Sequence, residues 1–253
     1  MVRIATEEDF EFVKTAWEVC FDDPGEFVEW NFSNNYSKDD TIIAEYNGTP
    51  AGVMQIRPYN LILNNEKLSC RYVSGVGVMP KYRGLGLVRE MFNFAFPYMR
   101  ELNCDISLLM PAVEGMYEKF GYKKICGRKT CIISSMPPGE KITTIGLGLI
   151  SRLDKLYREN MKNKKMYILR SQTDWERILT DLIEISKGAV LFTEKGYALI
   201  YPKEDKFEVV EKFGTETGGE EISGMPVMGK MINSKKLLTQ MEEKEDVFLN
   251  LLL

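Results

Sequence analysis

One stretch constrains the fold of this chain more than any other: residues 72–88, YVSGVGVMPKYRGLGLV. Val73, Val76, Val78 and Met79, with Gly75 and Gly77 among them, make the near-continuous apolar run of a strand buried on both faces. Pro80 ends it, because proline has no N–H for a ladder. Residues 81–86 turn the chain, and from Leu87 the apolar residues resume with helical spacing to Met99. Gly84 and Gly86 leave main-chain N–H groups bare at a helix N-terminus, a ready site for phosphate, and Arg83 adds positive charge beside them. Two nucleotide motifs are excluded. The P-loop needs a lysine–hydroxyl pair that does not follow Gly86, and the dinucleotide fingerprint needs a third glycine where Arg89 stands.

Composition narrows the chemistry. With 253 residues, 44% hydrophobic and 28% charged, the chain suits one large or two small globular domains. A net charge of −4 argues against a general nucleic-acid binder. No apolar run is long enough to span a bilayer and no signal-like start is present, so a cytoplasmic protein without membrane association is expected. The five cysteines form no C-x-x-C and read as small core residues. The absence of histidine removes Ser-His-Asp and Cys-His machinery and most zinc sites, so no metal is expected.

The elements follow from local signals. Residues 2–5 read as a strand, Thr6 with Asp9 as a near-capping box, and residues 7–20 as a helix; Pro24 opens a second helix. Asn47-Gly48 marks a hairpin between residues 41–46 and 51–63, and Asn64-Asn65 a second turn into the central strand. A helix over 87–102, kinked at Pro97, a strand over 105–110, a short helix over 113–120 and strands through Ile133 complete the first part. A mostly antiparallel sheet that turns parallel at the crossover helix is predicted.

Two motifs carry a family resemblance. The pattern V-x-P-x-Y-R-G-x-G resembles the acetyl-CoA loop of the GNAT acyltransferases, [QR]-x-x-G-x-[GA], with Arg83, Gly86 and Val88 at its fixed positions. Valine departs from the family's usual small residue and looks like the subgroup related to the enhanced intracellular survival (Eis) acetyltransferases. Some thirty residues on, Met116-Tyr117-Glu118-Lys119-Phe120-Gly121-Tyr122 resembles the family's F-Y-E-K-x-G-[FY] signature. The resemblance covers about residues 1–135. It implies a GNAT acyl-CoA N-acyltransferase fold of the α/β (α+β) class in a catalytic domain over 1–135.

The same resemblance implies N-acetyl transfer from acetyl-CoA to a primary amine by direct attack. The acceptor would be a small molecule, polycationic among the options, or a protein lysine, and a homo-oligomer is compatible with the reading. Cofactor binding falls to Val76, Gly77, Val78, Arg83, Gly84, Leu85, Gly86, Leu87 and Val88. Main-chain N–H groups freed by splaying of residues 76–79 from 107–110 would bind the thioester carbonyl and pantetheine amides. Tyr117 takes the place of the tyrosine that protonates the CoA sulfur. Without the family pattern, a helix tyrosine packed on the sheet is the simpler reading. No carboxylate lies on the central strand. Glu114 through water, or the C-terminal carboxylate as in the Eis design, are the alternatives, and no base is assigned. Asp22, Asp23, Glu26 and Glu29 read equally as an attractor for a cationic amine or as a solvated helix start. A lapsed acyl-CoA-binding sensor or scaffold is the competing function.

Beyond a linker at residues 137–139, an amphipathic helix, a strand at 166–169, a capping box at residues 173–176 and a three-strand meander follow. Residues 136–253 therefore look like the degenerate second GNAT-like domain of Eis relatives, with neither a glycine loop nor a tyrosine signature. Residues 228–238 resemble the entry into that subgroup's third domain, which cannot be present whole in the residues that follow, so either a shortened member or a truncated chain is expected. The apolar residues 247–253 would be a sticky surface if exposed.

Overall fold

The computed structural model describes residues 1–113, 115–233 and 247–249. The chain divides into two compact units. One comprises Met1–Asn60, Lys67–Ile125 and Val227–Met241, the other Leu61–Glu66, Cys126–Pro226 and Glu242–Leu253.

In the first unit, β1 (Val2–Ile4), β2 (Thr41–Tyr46), β3 (Thr49–Leu63), β4 (Glu66–Val78), β5 (Ile106–Leu109) and the end of β12 (Glu220–Met231) lie side by side in that order. Asn47, at φ +50, and Gly48, at φ +77, make the tight turn between β2 and β3, as Asn-Gly demands. β1 with β2, β2 with β3 and β5 with β12 pair antiparallel, whereas β4 and β5 pair in parallel, and helix α3 (Leu87–Glu101) provides the crossover that a parallel pair requires. Leu87, Met91, Ala95 and Met99 recur every fourth residue along α3, so one stripe of it is buried on Ile42, Met54, Ile56 and Val73. Pro97 sits within the helix without ending it. The opposite face of the sheet, Ile43 and Val53, is covered by α1 (Phe10–Cys20) and α2 (Gly25–Asn34) through Val13, Ala16, Trp17, Val28 and Phe32. Asp9 closes the entry to α1, accepting from Thr6 N at 2.7 Å and from Arg3 at 2.6 and 2.9 Å.

The strands of the second unit are ordered β6 (Lys123–Ile133), β11 (Lys206–Phe213), β10 (Tyr197–Lys203), β9 (Ala189–Phe192) and β7 (Glu140–Ile142). Helices α4 (Leu149–Met161) and α5 (Gln172–Leu179) pack on them, and a π-helical turn at Thr180–Ile185 prolongs α5. The cap of α5 is Ser171 rather than Thr173: Ser171 Oγ accepts from Asp174 N at 3.1 Å and Ser171 N donates to Asp174 Oδ2 at 2.7 Å. β8 (Met166–Leu169) pairs in parallel with β13 (Val247–Phe248). Arg170 follows β8 and is fully inside this unit. Its guanidinium grips both oxygens of Glu211 at 2.7 and 2.6 Å and lies between the rings of Tyr157 and Trp175.

Candidate functional site

Two strands that begin as neighbours part company. β4 and β5 are in register from Cys70↔Ile106 to Val73↔Leu109; β5 then ends, while β4 continues to Val78. Its other edge stays attached to β3, with Met79 N donating to Ala51 O at 2.9 Å. The parting is built into the sequence at Gly75. This residue takes φ +56 inside the strand, a conformation that bends the chain and favours glycine. A Cβ on Gly75 would stand 2.5 Å from Trp17 Cζ3, so α1 closes on the bend. The opening therefore starts only past Leu109, at the far end of residues 107–110, the segment expected from the sequence. Ser107, Leu108 and Leu109 are still paired with Arg71, Tyr72 and Val73.

Beyond the opening, a 3-10 turn at Pro80–Tyr82 leads into the glycine loop. Gly84 and Gly86 take φ +82 and +81, and Gly86 caps α3. Arg89 and Glu90 donate back to Gly86 O at 2.9 and 3.2 Å, which leaves the N–H groups of Leu87 and Val88 without an intrahelical acceptor. A Cβ built on Gly84 or on Gly86 meets nothing within 4 Å, so positive φ rather than crowding is what favours glycine at both positions. Arg83 is exposed and donates through Nε to Val78 O at 3.1 Å, which ties the loop to the end of β4 and leaves its terminal nitrogens for another partner. Lys81 and Arg89, both exposed, carry the same charge sign. Leu87 is buried, Val88 half-buried and Leu85 exposed. Val76, Val78 and Val88 pack against the core cluster that also holds Tyr117, while Gly77 is held against Cys20 and Phe21 of the α1 end.

Tyr117 does not lie within a helix. It precedes a 3-10 turn at Glu118–Phe120, and Gly115 (φ +74) and Gly121 (φ +85) bracket a segment too short for a helical nucleus. The ring is 7% exposed and packs edge-on against Phe92 at 6.0 Å and Tyr122 at 6.3 Å. Among the described residues its hydroxyl has no hydrogen-bond partner. Burial pushes the Tyr117 pKa up, so the hydroxyl holds its proton. Tyr122 differs: it is fully buried with its hydroxyl 2.6 Å from Ser107 Oγ, a core contact rather than an exposed acid.

The acidic cluster is partly committed. Asp23 accepts from Trp17 Nε1 at 2.8 Å and Glu29 pairs with Lys14 at 2.5 Å, leaving Asp22 as an exposed carboxylate of that group. Glu114 and the terminal residues 250–253, the two alternatives for a base, lie outside the described residues, as do residues 234–238 of the segment compared with a third domain. Residues 228–231 of that segment are strand, paired with β5.

Sequence reasoning missed two features. A second Gly-Leu-Gly-Leu occurs at residues 146–149, where Gly148 caps α4 at φ +81 with Arg152 N donating to its carbonyl at 2.9 Å. The expectation of no glycine loop in the second half is thereby corrected. Ile145 stands where Arg83 stands in the first, so this loop lacks the adjoining cation. The other feature is Lys230 of β12, whose Nζ reaches Phe120 O at 2.5 Å beside the tyrosine turn. Among the described residues no helix is long and apolar enough to cross a membrane.

A strand bent away from its parallel neighbour, a cationic glycine loop opening a helix and a near-buried tyrosine are the parts of an acyl-CoA-dependent N-acyltransferase. Residues 1–125 match the family model described as an acetyltransferase (GNAT) domain. A curated acetyltransferase of Pectobacterium atrosepticum is 30% identical over 134 residues, 49% of this chain and 88% of that protein. The chain belongs to the GNAT acetyltransferase family. Solved structures agree on the fold. A GCN5-related N-acetyltransferase from Anabaena variabilis is 14% identical with a TM-score of 0.69, covering 92% of this chain and 73% of that one. A probable N-acyltransferase from Enterococcus faecalis is 13% identical with a TM-score of 0.70, covering 92% and 72%. Eis1 from Mycobacterium abscessus is 14% identical with a TM-score of 0.59, covering 81% and 54%.

Proposed function

We propose that this protein transfers an acetyl group from acetyl-CoA to a primary amine by direct attack, with Tyr117 as general acid, in the manner of the Eis-like subgroup. Residues 136–253, apart from Val227–Met241 of the first unit, would then form a degenerate GNAT-like domain. The observation that carries the reading is the glycine loop between β4 and α3, with Gly86 capping the helix at φ +81 and the exposed Arg83 beside it. Residues of this chain fit the donor part by part. Arg83 and the amides of Gly84 to Val88 would supply the charge and the donors that a pyrophosphate takes. The main chain of Val76, Gly77 and Val78, past the last residue paired with β5, would offer donors to the pantetheine amides and to the oxygen of the thioester carbonyl.

The thioester supplies the activated acyl carbon. The amine nitrogen forms a bond to that carbon while the C–S bond breaks, and Tyr117 delivers its phenolic proton to the departing sulfur. A proton lost from the amine balances the one consumed. Burial fits Tyr117 for this role, because a raised pKa keeps the acid form present across neutral pH.

Thiol release from acetyl-CoA, measured against a panel of amines, tests the assignment. Turnover with at least one polycationic amine is expected. Tyr117→Phe should lower kcat by about a hundredfold, the scale of a positioned general acid. Arg83→Ala should raise KM for acetyl-CoA roughly tenfold, with kcat little changed. Any alkaline fall in kcat that belongs to Tyr117 should lie above 10.0, the ordinary tyrosine value, because burial disfavours the phenolate. Loss of acetyl-CoA binding in the wild type would sink the proposal, and wild-type kcat in Tyr117→Phe would remove the acid.

A further inference from the structure

We infer that Lys230 is a positioning residue for the reaction: through the Phe120 carbonyl it fixes the turn that presents Tyr117. The inference rests on the reading of Tyr117 as the acid. Lys230 lies far beyond residue 125, where the family match ends, yet it belongs to the same compact unit as Tyr117.

The geometry is a two-ended clip. Phe120 N donates to Tyr117 O at 3.0 Å, which closes the turn on the tyrosine side. At the other end Phe120 O receives Lys230 Nζ at 2.5 Å. The ammonium also lies 3.6 Å from the Phe96 ring centroid, and the Phe120 ring stacks on Phe92 at 4.3 Å. Phe92 in turn forms the edge contact with Tyr117. The lysine is carried to this place by β12, which is in antiparallel register with β5 and sets Lys230 opposite Ser107. Gly121 makes room for it, since a Cβ there would come 3.2 Å from Nζ.

Two considerations separate this contact from an ordinary surface lysine. Loss of water and the nearby Arg100 both lower the Lys230 pKa, so its charge sits at a cost that the carbonyl and the ring must offset. And because no described group hydrogen-bonds the Tyr117 hydroxyl, ring packing and the turn are the described contacts that set where that oxygen points. A turn that loosens by an ångström loses a large part of the benefit of a positioned proton donor.

The test uses the full chain and four variants: Lys230→Met, which keeps an apolar stem on Phe96 but loses the donor; Lys230→Arg, which keeps a cationic donor; Tyr117→Phe; and the double Lys230→Met/Tyr117→Phe. Circular-dichroism melting confirms folding. With acetyl-CoA and an amine that is turned over, Lys230→Met should lower kcat about tenfold and leave KM for acetyl-CoA within about twofold, while Lys230→Arg recovers most of the loss. In the Tyr117→Phe background the Met substitution should cost nothing more, because two residues acting as one unit are non-additive. A readout free of activity is the fluorine resonance of 3-fluorotyrosine placed at position 117. It should shift or broaden in the folded Met variant and return in the Arg variant. An unchanged resonance, or a full tenfold loss added on top of Tyr117→Phe, would overturn the inference. If Tyr117→Phe alone turns over at the wild-type rate, the acid reading fails separately, and the resonance decides the positioning. Should the Met variant melt below the assay temperature, Lys230→Leu, which also lacks a donor, replaces it with the same expectations.

Discussion

Gly75 shows how a single residue can create a site by what it lacks. Its φ of +56 costs an L side chain strain, and a Cβ would be 2.5, 3.1 and 3.4 Å from three atoms of the Trp17 ring. Trp17 has little freedom to yield, because its indole nitrogen is held by Asp23 at 2.8 Å and its ring packs on Phe21 and Phe32. Gly75→Ala should therefore destabilise the protein by about 2–4 kcal/mol, combining backbone strain with overpacking. It should also raise KM for acetyl-CoA, since the bend that parts β4 from β5 would relax. Thermal melts together with steady-state kinetics check both effects; a melting temperature equal to wild type would mean that the bend does not depend on glycine. At this scale the sequence was informative about types and less so about partners. The loop at Gly84 and Gly86 was readable because a tight turn into a helix favours glycine at positive φ. The commitment of Asp23 to Trp17 and of Glu29 to Lys14 was not, because a run of acids looks the same whether its members are paired or free.

Among the elements, signals encoded by backbone chemistry were legible and those set by distant packing were not. Asn47-Gly48 gave its hairpin and Pro80 ended β4. Residues 113–120 carry apolar spacing, yet within 115–120 the chain forms only a 3-10 turn after Tyr117, because Gly115 and Gly121 take positive φ and cut the segment short. The cap of α5 fell on Ser171 instead of Thr173, one of two hydroxyl residues with an acid three positions on. Nothing in the local pattern foretold that Arg170, one residue earlier, would be buried. It follows an apolar strand and would ordinarily mark a strand end at the surface. In the fold it is 2% exposed, paired in two bonds with Glu211, which also accepts from Tyr197 at 2.5 Å. Removing one partner strands the other charge in an apolar core, so Arg170→Met should cost about 3–5 kcal/mol. The double variant Arg170→Met/Glu211→Leu should recover most of that loss, since an apolar replacement of a buried pair is often near neutral. Chemical denaturation of the three proteins measures it. Equal stability of Arg170→Met and wild type would show that the pair does not hold the second unit together.

At the scale of the whole molecule, the stretch that matches the family and the unit that folds as one body are different objects. The match ends at residue 125, but the first unit also takes Val227–Met241. Its strand β12 covers β5, all four residues of which are buried, with Met228↔Leu109 through Met231↔Ile106 in register. Gly229 presses on Ile125 and Leu108, and Ile232 N donates to Asp105 O at 2.8 Å. A reading along the chain could not see this, because sequence segments are contiguous by construction while strand order is not. A fragment of residues 1–125 would leave β5 as a bare apolar edge, lacking a ladder worth about 1 kcal/mol per hydrogen bond as well as the apolar cover. It would also lack Lys230 at the tyrosine turn. Such a fragment is expected to aggregate and to show no cooperative melt, and a synthetic peptide of residues 220–233 added in trans should restore solubility and acetyl-CoA binding. Size-exclusion chromatography, calorimetry and binding titration read the three properties. A fragment that is monomeric and melts cooperatively without the peptide would show that β12 is dispensable. Rescue by the peptide but not by one carrying Lys230→Met would place the missing contribution at the clip on Phe120 rather than in the ladder.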